Sequence, residues 1–133
     1  YWYVDGHAHG DSRKPLEIVR EKVILFEAGD EIVPGVKTVA AYGHTPGHTA
    51  LMLESNGERL LFAVDILHRR AQFLHPEWSM SFDSDTSVSV PTRRQMLQQA
   101  VDEDLLMLLY HMPFPGLGHV RTLGDGFTWE PIS

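Results

Sequence analysis

Apolar residues gather in short runs along this chain, and three of those runs lead into a residue that can bind a metal. Val36-Lys37-Thr38-Val39-Ala40-Ala41-Tyr42 runs into Gly43-His44. Arg59-Leu60-Leu61-Phe62-Ala63-Val64 runs into Asp65, and Leu105-Leu106-Met107-Leu108-Leu109-Tyr110 runs into His111. None of the three alternates cleanly between apolar and polar, which predicts strands buried on both faces. Thr49 to Ser55 is a further strand, and Asn56-Gly57 after it is a strong hairpin signal. Gly126 to Ile132 is the last strand expected.

Helical spacing occurs twice. Leu16, Val19 and Val23 recur at i, i+3 and i+7, which predicts a helix over 12–23 with one buried stripe, capped by Ser12 and with Pro15 in its first turn. Pro91 to Asp102 reads as a second helix, with Met96, Leu97, Ala100 and Val101 on one face. Its acidic end, Asp102-Glu103-Asp104, opposes the helix dipole, so the helix is expected to stop there. The short apolar run Val23-Ile24-Leu25-Phe26 reads as a strand, and residues 65 to 90 read as a mostly irregular loop. A loop of that length is commonly functional. Strands followed by a helix and another strand predict an α/β layered arrangement.

Composition narrows the possible functions. The chain has 133 residues, enough for one domain. Its formal net charge of −7 opposes binding to phosphate backbones, so nucleic acid is not an expected partner and an RNA-processing nuclease is disfavoured. No apolar run reaches the length that spans a bilayer, so no membrane helix is expected. Cysteine is absent, which removes disulfides, thiolate nucleophiles and thiolate metal ligands. The chain opens on Tyr1 without the pattern of a secretory signal, and the expectation is that its natural start lies elsewhere.

Histidine, by contrast, is abundant, with eight in the chain. Any one of them is ordinary, but His44, Asp65 and His111 form a set. Strands of common polarity would deliver all three to one sheet edge. Imidazole and carboxylate together suit zinc or another first-row metal. Two glycines and a proline surround His44 and His48 in Gly43-His44-Thr45-Pro46-Gly47-His48-Thr49, and a stiff turn of this kind holds a ligand in place.

That segment resembles the central motif of the metallo-β-lactamase fold hydrolases. Asp65, 21 positions after His44, resembles the family's bridging aspartate, and His111 its last metal ligand. The block His111-Met112-Pro113-Phe114-Pro115-Gly116-Leu117-Gly118-His119-Val120 is more specific. So is Phe82-Asp83-Ser84-Asp85 followed by Thr92-Arg93-Arg94. Together they resemble the branch that contains methyl parathion hydrolase and lactonase-like enzymes.

The resemblance implies the C-terminal half of an αββα sandwich, a mixed sheet with flanking helices. It implies two divalent metal ions, zinc first, with manganese, iron or cobalt as alternatives. His44 would bind the first metal, Asp65 would bridge both as the central catalytic carboxylate, and His111 would bind the second. His48 would support the site by hydrogen bonding. His68 and Phe73, just beyond Asp65, would border the substrate pocket. Asp83 and Asp85 read as an acidic helix-capping loop or, alternatively, as support behind the metal ligands, and His119 as structural. The implied reaction is hydrolysis of an ester, lactone or organophosphate by a metal-bound hydroxide, with no side-chain nucleophile.

The family's earlier His-x-His-x-Asp-His motif has no good counterpart. His7-Ala8-His9-Gly10-Asp11 is superficially similar, but Ser12 stands where the last His belongs and His44 follows His7 by only 37 positions. The expectation is therefore a half-domain spanning 1–133. A missing N-terminal half, or a second chain as in a homodimer, would cover the exposed apolar sheet face. Two other readings remain open: a non-catalytic interaction fragment with an incomplete metal site, and an iron-dependent oxidoreductase on the same fold.

Overall fold

The computed structural model describes residues 17–132. Seven strands form one sheet in chain order: β1 (Glu31–Val33), β2 (Val36–Ala40), β3 (Thr49–Ser55), β4 (Glu58–Phe62), β5 (Leu106–Leu108), β6 (Leu117–Leu123) and β7 (Gly126–Pro131). Every neighbouring pair is antiparallel except β4 and β5, which run parallel. Parallel neighbours need a crossover. Here it carries two helices, α1 (Ala71–Leu74) and α2 (Thr86–Asp102). The β3–β4 hairpin turns at Asn56 and Gly57, both with positive φ, as that dipeptide's chemistry requires.

This topology fixes where the site must be. β2 and β4 are each antiparallel to β3, so they share a direction, and β5 shares it too. The C-terminal ends of β2, β4 and β5 therefore lie along one edge. His44, Asp65 and His111 follow those three ends.

One face of the sheet is sealed by α2. Met52, Leu61 and Met107 share that face by register and are buried with Met96, Leu97 and Ala100 of the helix. The opposite face carries Leu51, Phe62, Leu108 and Leu117 in one cross-strand row, with Leu53, Leu60 and Leu106 beside it. These side chains are only half-buried, apart from the exposed Leu53. The expectation of strands buried on both faces is corrected. The missing alternation reflects an apolar second face that no described element covers.

Several element boundaries also differ from expectation. α2 begins at Thr86, not at Pro91, because the Asp85 carboxylate accepts the Ser87 backbone N–H and caps the helix. Pro91 then sits inside the helix and offers no N–H to the Ser87 carbonyl. The helix stops at Asp102, as its acidic end predicts. Val23 to Phe26, expected as a strand, forms none and lies outside the sheet. Residues 17–19 are helical and Arg20–Lys22 form a 3₁₀ turn, yet Val19 and Val23 are 41% and 49% exposed. Their expected buried stripe lacks a facing surface among the described residues. Ser12, Pro15, Leu16 and the His7-Ala8-His9-Gly10-Asp11 segment lie outside the described residues. No described helix is long and apolar enough to cross a membrane.

Candidate metal centre

The turn after β2 is built by its own backbone. Ala41 N–H donates to His48 O, while Gly43 N–H and His48 N–H both donate to Thr45 O. Gly43 has φ +117°, and its Cα packs directly against the backbone of Ser89 on α2. Ser84 N–H donates to His44 O and Asp85 N–H to Gly43 O, which ties the start of α2 to the same turn. His44 is thus held between a sheet end and a helix start.

Asp65 leaves β4 through Val64, whose φ of +48° is unusual for a β-branched residue. The Asp65 N–H donates to His48 Nε2 at 3.2 Å, and His48 Nδ1 donates to Ala41 O at 2.7 Å. Both nitrogens of His48 are engaged with backbone. It links the β2 and β4 exits and has no atom left for a metal. Burial lowers its pKa, outweighing the hydrogen bond to Ala41, so this neutral, bridging form is favoured.

Among the described residues, two groups of potential ligands form at this edge. Asp65, His68 and His111 make one, and His44, His68 and Asp83 the other, with the ligand atoms of each group within 4.8 Å of one another. His111 Nε2 lies 2.9 Å from Asp65 Oδ1. The His68 ring stands 4.9 Å from the His44 ring and 4.7 Å from the His111 ring. His68 therefore joins the groups, where the sequence had placed it only at the pocket border. His44 and Asp65 also border one small crevice.

The donor chemistry fits a metal. His68 is 7% exposed, and its Nδ1 is buried with no hydrogen-bond partner among the described residues. A buried polar atom left alone is costly and points to a ligand that would satisfy it. Burial first, then the neighbouring His44 and His111, lowers the His68 pKa to about 4. The ring is neutral at pH 7, as a metal ligand must be.

The depressed His68 pKa has a stability consequence. Its protonation is disfavoured in the folded state, so its contribution is full above about pH 6.5 and is lost as pH falls toward 4. The metal-free chain is expected to lose up to ~3 kcal/mol across that window from His68. Urea unfolding of His68→Gln should show a much flatter pH dependence there. An unchanged slope would contradict this assignment.

Asp83 is the residue that sequence reasoning underrated. Its carboxylate is fully buried, with Oδ1 3.0 Å from His44 Nδ1. Oδ2 accepts from Ser89 Oγ at 3.1 Å and from Arg93 Nη2 at 3.3 Å. Burial pushes the carboxyl pKa up, but the hydrogen bonds from His44 and Ser89 and the Arg93 charge outweigh it and hold it below the ordinary range. An ionised carboxylate only accepts, so the proton of His44 sits on Nδ1 and Nε2 remains free to ligate. Asp83 orients His44, whereas Asp85 is the helix cap described above.

Phe73 is placed elsewhere. It is 2% exposed and stacks on Trp129 in the core at 5.5 Å between ring centroids. The ring that does meet the histidines is Phe82, edge-on to both His44 and His68. His119 lies on β6, 3.4 Å from Asp104, in the sheet and not in either ligand group.

No family model matches the chain. It superposes on AidC, a dizinc quorum-quenching lactonase, with a TM-score of 0.86 and 28% identity, over 95% of this chain and 46% of that one. It superposes on the β-lactamase-superfamily hydrolase AbOPH with a TM-score of 0.81 and 31% identity, over 90% of this chain and 41% of that one. An N-acyl homoserine lactonase of Bacillus sp. is 32% identical over 66 residues, which is 49% of this chain and 26% of that protein. The chain thus spans less than half the length of each.

A mixed sheet backed by α2, with histidines and a carboxylate at one edge, is part of the metallo-β-lactamase fold, and its structural neighbours are hydrolases of that superfamily. Of these similar proteins, AidC and the Bacillus protein are lactonases.

Proposed function

We propose that this chain is the metal-binding C-terminal half of a metal-dependent hydrolase acting on an ester, lactone or organophosphate. The observation that carries the proposal is the pair of ligand groups joined through His68 at the common end of β2, β4 and β5. The likeness to a dizinc lactonase supports two divalent ions, zinc first.

In this reading, His44 Nε2, Asp65 and His111 would hold the metals. His48 and Asp83 fix the orientation of Asp65's backbone and of His44. The ions would supply an activated water near neutral pH and polarise the scissile oxygen. His68 lies between the two groups with its buried Nδ1 free of any described partner, and the Phe82 ring stands edge-on beside it. Further ligands and a covering sheet come from polypeptide outside this chain. The half-buried row Leu51, Phe62, Leu108 and Leu117 supports that, since an apolar face of this extent needs a partner.

The test is metal removal from the polypeptide that carries this chain with the rest of its fold. Hydrolysis of aryl esters or lactones is expected to vanish with a chelator and to return with zinc or manganese. Activity that persists after exhaustive metal removal would refute the proposal. An assembled protein that binds less than one metal per chain at saturating zinc would instead favour a non-catalytic interaction module.

A further inference from the structure

Helix α2 buries a stripe that changes character along its length. Its C-terminal half presents Met96, Leu97 and Ala100, and its N-terminal half presents Ser89 and Arg93. A buried guanidinium is tolerated only when its donors are satisfied. Arg93 is 1% exposed and meets that condition through one segment. Its Nε donates to Ile66 O at 2.6 Å, and Nη1 to Pro76 O at 2.7 Å and Trp78 O at 3.1 Å. Nη2 donates to Asp83 Oδ2. All four acceptors lie in the loop between Asp65 and the start of α2.

Gln72 completes the arrangement. Its Oε1 accepts from the backbone N–H groups of His68 and Arg69 at 2.8 and 3.0 Å, and its Nε2 donates to Trp78 O at 2.9 Å. Trp78 O is shared with Arg93. The guanidinium therefore reaches His44 through Asp83, and the backbone of His68 through Ile66, Trp78 and Gln72.

We propose that Arg93 is a positioning residue of the metal centre, setting His44 through Asp83 and the His68 loop through three backbone carbonyls. This rests on reading His44, His68 and Asp83 as part of that centre. A planar fork with donors in three directions suits the task, and a lysine ammonium cannot reproduce it.

The test separates positioning from simple loop anchoring. Ring ¹⁵N NMR of the metal-free polypeptide that carries this chain with the rest of its fold reports the His44 tautomer, and chelator competition with Co²⁺ reports metal affinity. In the unaltered protein, His44 should carry its proton on Nδ1. Arg93→Lys should erode that preference and weaken Co²⁺ binding about 10-fold or more. In an Asp83→Asn background, Arg93→Lys should shift the His44 tautomer no further, because the link to His44 is already cut, and any remaining loss of affinity is that of the His68 loop. Fully additive effects on the tautomer would overturn the proposal. So would an Arg93→Lys chain that loses stability to urea with tautomer and affinity unchanged.

Should Arg93→Lys fail to fold, Ser89→Ala removes another donor to Asp83 while leaving every loop contact of Arg93. It should then shift the His44 tautomer and weaken Co²⁺ several-fold, and no change in either would overturn the Asp83 link. If the unaltered assembled protein itself binds no Co²⁺, the metal-centre reading fails, and the tautomer measurement still decides whether Arg93 sets His44.

Discussion

Replacing Asp65 with Asn in the assembled enzyme is expected to lower kcat/KM on an aryl ester or lactone by about 10³-fold, a loss of ~4 kcal/mol in transition-state stabilisation. The side chain keeps its shape but loses its charge. The carboxylate stands at 2.9 Å from His111 Nε2 and within reach of His68, where ligand-type atoms from both sides converge. Its backbone N–H, donated to His48, is untouched by the change. Folding should therefore survive while metal content falls. Parallel measurement of activity, bound metal and urea stability checks all three. An Asp65→Asn protein within threefold of the original activity would remove Asp65 from the chemistry. His119→Asn, on β6 and outside both ligand groups, is the matched control and should retain activity.

Gly43→Ala should be the most damaging single-methyl substitution near the site. A Cβ at Gly43 would lie 2.2 Å from Ser89 N and 2.4 Å from Ser89 Cα. Both are backbone atoms of α2, so no side chain can swing away. The residue also has φ +117°, which an L side chain rarely adopts. The helix must retreat, and with it go the bonds from Ser84 N to His44 O and from Asp85 N to Gly43 O. A cost above ~3 kcal/mol is expected, which lowers the melting temperature by roughly 10 °C or more. Gly47→Ala, in the same turn, meets nothing within 4 Å and should cost less than ~1 kcal/mol. Thermal melts of the two variants compare them directly, and equal losses would contradict the packing described here.

The parts of the molecule that sequence reveals are those where one physical signal dominates. β3 and its hairpin follow from an apolar run and an Asn-Gly turn. The rim of His44, Asp65 and His111 follows from three runs that end alike. β6 was not expected, because Gly118 breaks its pattern. That glycine has no side chain because Glu130 O and the Trp129 ring occupy the space where one would project. The start of α2 was misplaced because Pro91 resembles a first-turn proline, while Thr86, Ser87, Val88 and Val90 are weak helix formers. There the Asp85 cap and the packing on Gly43 prevail over propensity.

Asp83 and Arg93 were legible only as members of the family-like segments Phe82-Asp83-Ser84-Asp85 and Thr92-Arg93-Arg94, without a settled role. The fold shows that Ser89 and Arg93 turn inward to meet Asp83. His68 carried a weak signal, three residues beyond Asp65. Its role depends on two other histidines approaching from distant parts of the chain, which no local pattern encodes.

Anomalous scattering at the zinc edge, from crystals of the assembled protein, tests the central claim most directly. The account predicts ions within about 2.0–2.2 Å of His44 Nε2, His111 Nε2 and an Asp65 carboxylate oxygen, with Asp65 shared between two peaks. Saturating zinc that leaves this rim empty, with peaks only at other surface residues, would contradict it.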